Sequence, residues 1–165
     1  MSESEIVKSK EAFKKEARER AYRYELQFHG CSQSVLLPLQ ELLGLEHELT
    51  FKAASALCSG VGASKTCGAL LAGVMVLGMK HGRAQIQEGL GSLVKGLELA
   101  QKLVRKFEQQ FGTTSCYEIS GIDWTDEKAV MEFLNSQERI EKCAQVVGKT
   151  AEMVAELLSE EGSPA

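Results

Sequence analysis

Helical periodicity runs through almost the whole chain, and only two prolines, Pro38 and Pro164, stand against it. No sustained alternation of apolar and polar residues competes with it, so strands are not expected. With 165 residues, 44% of them hydrophobic, the chain can fill one substantial core. These features predict an all-α, single-domain bundle of about six or seven helices over residues 1–165, with a frayed tail at 159–165. No internal repeat, second domain or low-complexity segment is visible.

The centre of that bundle belongs to residues 66–80. This stretch is hydrophobic nearly all round, which marks a buried helix. Its small residues, Gly68, Ala69, Ala72, Gly73 and Gly78, leave room for neighbouring helices to come close. Its apolar run, bounded by Lys65 and Lys80, is too short to span a bilayer. A charged helix over 3–28 should carry a thin stripe of Ile6, Phe13, Ala17 and Tyr24, and end at His29-Gly30. A helix over 31–43 should end at Gly44 and kink or restart at Pro38. Thr50 is the expected N-cap of a short helix reaching Cys58, and Thr125 that of another reaching Asn135.

Two longer segments carry seams. Ile86, Leu90, Leu93, Leu97, Ala100, Val104, Phe107 and Phe111 step alternately by four and three, an a/d-type pattern. Ile140, Cys143, Val147, Thr150, Val154 and Leu157 repeat it in a final helix over 139–158. Both should pack on the central helix. The first seam exceeds what one compact neighbour needs. Part of it, or the charged first helix, is therefore expected to meet a second copy of the chain in a homodimer.

Charge excludes some functions. The net charge is −4 and no Lys/Arg run is long enough to make a nucleic-acid surface. The start, Met-Ser-Glu-Ser-Glu, lacks the apolar core of a signal peptide, which predicts a cytoplasmic protein with no membrane span. In that compartment thiols default to the reduced state, and disulfides are transient or catalytic.

Five cysteines occur, and none is paired in a C-x-x-C. An odd number argues against a purely structural disulfide framework. Cys31 shares a stripe with Val35, Leu39 and Leu42, and Cys143 lies in the final seam, so both thiols should point inward. Cys67 begins the central helix, where unpaired N–H groups and the helix dipole favour a thiolate, with Lys65 nearby. Cys116 sits in a connection over 113–124, which also carries Trp124. Cys58 is either a spare core residue or a local partner for Cys67. Three readings follow: thiol redox chemistry, a metal or iron–sulfur site held by Cys31, Cys67, Cys116 and Cys143, or inert core cysteines. Spacings of tens of residues disfavour the paired knuckles of most structural zinc sites.

Other candidate sites are weaker. Ser59-Gly60-Val61-Gly62-Ala63-Ser64-Lys65-Thr66 resembles a phosphate loop, but serine replaces both required glycines and no strand precedes it. His29, His47 and His81 have no metal-binding spacing. Tyr22 and Tyr24, flanking Arg23, read as packing residues.

At Cys31, Gln33 and Val35, and again at Cys67-Gly68-Ala69, the chain resembles the C_GCAxxG_C_C family of redox-active proteins. The resemblance covers about residues 21–158. It matches the third cysteine to Cys116, after Phe111-Gly112, and the fourth to Cys143. One departure is Ala72, where the motif ends in glycine, with Gly73 one position later. Cys58 lies outside the four-cysteine pattern. The resemblance implies that Cys31, Cys67, Cys116 and Cys143 act as a group. It leaves thiol–disulfide exchange and metal or cluster binding both open, with the electron partner and any cofactor unknown. Among the four, Cys67 is the expected attacking thiolate and one of the others its resolving partner.

Overall fold

A computed structural model describes residues 2–160. Among them are eight α-helices: α1 (Glu3–Phe28), α2 (Cys31–Leu43), α3 (Glu48–Ala54), α4 (Gly68–His81), α5 (Gly89–Phe111), α6 (Cys116–Ser120), α7 (Glu127–Leu134) and α8 (Gln137–Glu160). The fold is an all-α bundle with no strands among the described residues, as the periodicity required. The one helix beyond the expected count is α6. Its five residues are too few to show a period, and Ser115 starts it by accepting from the Glu118 N–H.

The central helix lies where the apolar run placed it, packed against α2, α5 and α8. Gly73 explains how closely they meet. A Cβ there would lie 2.7 Å from Leu103 Cδ2 on α5 and 3.0 Å from Val154 Cγ2 on α8. The final seam is buried as expected: Val147, Thr150, Val154 and Leu157 are all at most 1% exposed.

The seam over 86–111 is only half right. Ile86, Leu90 and Leu97 are 75%, 73% and 50% exposed, while Leu99, Leu103 and Phe107 form the buried stripe. Two things differ: the buried face is rotated onto Leu99 and Leu103, and α5, with 23 residues against 14 in α4, runs past its neighbour at its start at about 1.5 Å per residue. Residues 86–88 form a separate 3-10 turn.

Local boundaries needed further correction. His47, not Thr50, caps α3, its Nδ1 accepting from the Thr50 N–H, and a 3-10 turn at Ser55–Leu57 follows. Asp126, not Thr125, caps α7, accepting from the N–H groups of Lys128 and Ala129. α2 runs through Pro38 without a restart and ends at Gly44, which is left-handed at φ 64°. Ser159 and Glu160 continue α8, and the rest of the expected tail, 161–165, lies outside the described residues. The charged first helix lies along α8 of its own chain. Ala17 and Ala21 are fully buried there, and Gly148 lets the backbones close, since a Cβ on it would sit 3.1 Å from Arg18 O.

Two apolar clusters result. The larger joins α1, α2, α4, α5 and α8. A smaller one holds Ile122, Phe133 and Ile140, with Trp124 and Cys143 packed on it.

Candidate functional site

The four cysteines of the sequence pattern come together where the two clusters meet. Each is delivered by the start of a helix or by an inward turn of one. Gly30, left-handed at φ 92°, opens α2 and puts Cys31 at its first position. Cys67 is the N-cap of α4. Its N–H donates to Thr114 O at 2.8 Å, and the Cys116 N–H donates to Lys65 O at 2.6 Å. These bonds flank an isolated antiparallel bridge between Thr66 and Ser115, which brings the starts of α4 and α6 side by side. Gly60 permits the approach, since a Cβ there would lie 2.7 Å from Cys116 Cβ. Cys143 faces inward from α8.

Cys31, Cys67, Cys116 and Cys143 all line one mostly apolar cavity of about 150 Å³. Cys67 and Cys116 are 6% and 7% exposed. Cys31 and Cys143 are partly buried, inward-facing but not sealed. Trp124 closes one wall, edge-on to Phe133 with ring centroids 5.0 Å apart. Two buried polar atoms in this wall have no hydrogen-bond partner, Glu25 Oε2 and Trp124 Nε1. Such orphans are uncommon in native interiors.

Burial governs the thiols. It pushes Cys67 up to about 11, although the N–H groups of Ala69 and Leu70 point at its sulfur and favour the thiolate. The helix N-terminus therefore acts as expected on Cys67 and is outweighed by desolvation. Burial also pushes Cys143 up to about 12, helped by the charges of Glu25, Cys67 and Cys116. Cys116 is raised by burial, against donation from Ser120. The Trp124 indole also favours the Cys116 thiolate, though it lies outside full hydrogen-bond geometry. Cys31 is raised well above the ordinary range, first by its hydrogen bond to Cys58, then by burial and by the charge of Cys67. A mostly apolar pocket holding four neutral thiols is the result.

Two further groups belong to this site. Glu25, 5% exposed, is raised to about 7, chiefly by burial, against a hydrogen bond from Ser34. Its signal was in the sequence: Ala17, Ala21 and Glu25 step by four, which places a carboxyl on the buried stripe of α1. The other is Cys58, which packs against Cys31 across Gly68. A Cβ on Gly68 would lie 2.7 Å from Cys31 Sγ and 3.2 Å from Cys58 Cα. No local pattern marks this contact, because α2 and the segment before α4 meet only in three dimensions.

Residues 29–157 match a family described as "Putative redox-active protein (C_GCAxxG_C_C)". The chain belongs to this family. No curated protein and no solved structure matches it. In this C_GCAxxG_C_C protein, all four pattern cysteines are free thiols, and so is Cys58. Among the described residues no group of three or more His, Cys, Asp or Glu side chains is arranged to hold a metal ion. No helix among them is long and apolar enough to cross a membrane.

Proposed function

We propose that the protein is a thiol–disulfide oxidoreductase whose redox store is the set Cys31, Cys67, Cys116 and Cys143. The observation that carries this reading is their common cavity, reached from four separate segments. Two thiols, at least one of them from the set, give up two electrons and two protons as one S–S bond forms. A disulfide substrate takes them up and leaves as two thiols. Burial keeps the resting thiols neutral, so oxidation waits for a partner rather than for solvent oxidants. The chemistry suits a reducing cytoplasm, where a protein disulfide is transient. Controlled oxidation with diamide followed by disulfide mapping tests the reading. A pair that includes any of these four cysteines supports it. No pair at any potential removes exchange as the function. The alternative is a metal or iron–sulfur centre held by the same residues, which a brown colour or chelatable zinc in anaerobically purified protein would reveal.

A second copy of the chain is the proposed cover for the start of α5. Leu90, Val94 and Leu97 lie on one face of α5 and are 73%, 47% and 50% exposed, and Ile86, in the turn just before it, is 75% exposed. The spacing of four and three along α5 is that of a helix pairing with its own kind, and a two-fold axis would set the two faces together.

A further inference from the structure

The cavity's four thiols are all held in the neutral form, which leaves the exchange centre without a nucleophile of its own. Cys58 stands beside it in different surroundings. It is partly exposed and borders the start of α2. That helix begins at a glycine, which has no side chain to cap it, so its first N–H groups are open. The Cys58 sulfur lies at the mouth of that helix, 3.6 Å from where a Gly30 Cβ would stand. Hydrogen bonding from the Cys31 thiol, then from Ser32 and the N–H groups of Ser32 and Gln33, holds its thiol low. Ser32 Oγ lies 2.8 Å away, but its single proton also has Ala54 O within reach at 2.6 Å. The sulfur therefore sits at the open start of α2 beside a second thiol, the setting of a helix-capping anion. Glu25, fully enclosed with Oε2 unpartnered, lines the cavity wall that Cys31 also lines.

We propose that Cys58, outside the family's four-cysteine pattern, is the attacking thiolate, that Cys31 is its resolving thiol, and that Glu25 receives the Cys31 proton. This inference rests on the exchange reading above and names its entry point. Cys58 thiolate attacks one sulfur of a substrate disulfide, forming a mixed disulfide and releasing the first substrate thiolate. The negative charge that held the proton on Cys31 is thereby gone. Cys31 passes that proton to the Glu25 carboxylate, attacks Cys58 sulfur and releases the second substrate thiolate. The two released thiolates take protons from solvent and from Glu25. The substrate gains two electrons, the Cys31–Cys58 pair loses two, and a soluble dithiol restores the pair.

The test uses the full reduced chain with iodoacetamide and with dipyridyl disulfide. At pH 6 a thiol held at about 5 is almost wholly ionised. It holds about a thousandfold more thiolate than an ordinary thiol, and lower nucleophilicity offsets about a hundredfold. Peptide mapping should show Cys58 alkylated at least about tenfold faster than the other four. With dipyridyl disulfide at pH 8, where Glu25 is ionised and can accept a proton, wild type should release two thiopyridones rapidly. Cys31→Ser should release one and keep the pyridyl adduct on Cys58. Cys58→Ser should lose the rapid phase. Glu25→Gln should keep the first release and slow the second, an effect that packing alone does not produce. If Cys67 or another thiol is labelled first, or carries the adduct in Cys31→Ser, the inference is overturned while exchange among the four cysteines stands. If oxidised wild type forms no intrachain disulfide, both fall.

Discussion

Replacing Glu25 with glutamine should make the protein more stable above pH 4.5, by an amount that grows up to about pH 7 and then holds. Glu25 is buried to 5% exposure, one carboxyl oxygen has no partner, and burial raises the group from its ordinary 4.5 to about 7. The nearby charges that repel its anion belong to Cys58 and, when ionised, to Cys31, Cys67 and Cys143. Below pH 4.5 the carboxyl is neutral in both folded and unfolded chains and contributes nothing. Between 4.5 and 7 the unfolded chain ionises while the folded one stays neutral, so stability falls as pH rises. Above 7 the loss is complete. At about 1.4 kcal/mol per pH unit it amounts to roughly 3 kcal/mol. Glutamine matches the neutral acid in shape and does not titrate. Urea unfolding of wild type and Glu25→Gln, with a phosphine reductant present, should give similar stabilities near pH 4.5. By pH 8 the variant should lead by roughly 3 kcal/mol. A difference independent of pH, or wild type gaining on the variant as pH rises, would show that Glu25 is ionised and satisfied in the fold.

Gly73→Ala should destabilise the bundle by about 1–3 kcal/mol, read by urea unfolding, because its Cβ would meet Leu103 Cδ2 at 2.7 Å inside a fully buried layer. An unchanged midpoint would mean that α4, α5 and α8 do not meet at this residue. Leu90→Glu should convert a particle of about twice 18.0 kDa into one of 18.0 kDa by light scattering. Wild type running at the single-chain mass would end the dimer proposal. Gly68→Ala should abolish the rapid alkylation of Cys58, since a Cβ there would overlap Cys31 Sγ at 2.7 Å and Leu57 O at 2.6 Å. Wild-type labelling in a folded Gly68→Ala chain would place the reactive thiol elsewhere.

Much of the architecture was legible in the sequence because it follows from local rules. Period and glycine chemistry alone delimited α2 between Gly30 and Gly44 and marked 66–80 as the buried helix, which the structure places at Gly68–His81. The stripe from Ile140 to Leu157 sits where its spacing put it, because a stripe on a long helix has only one way to avoid water. The similar stripe from Ile86 onward failed. Burial needs a partner of matching length, and the length of α4 beside α5 is a property of the assembled bundle. The four pattern cysteines could be recognised as a group, but not the bridge from Thr66 to Ser115 that sets Cys67 next to Cys116. Cys67 at a helix start was visible, yet its acidity turned on desolvation, which depends on every element packed around it. Sequence thus determined the helices, the buried faces and the thiols available. Tertiary structure alone decided which thiols are neutral, that Glu25 shares their cavity, and that Cys58 packs at the start of a helix belonging to another segment. Period and capping act within a few residues along the chain, whereas proton affinity is set by solvent exclusion and charge across the whole fold.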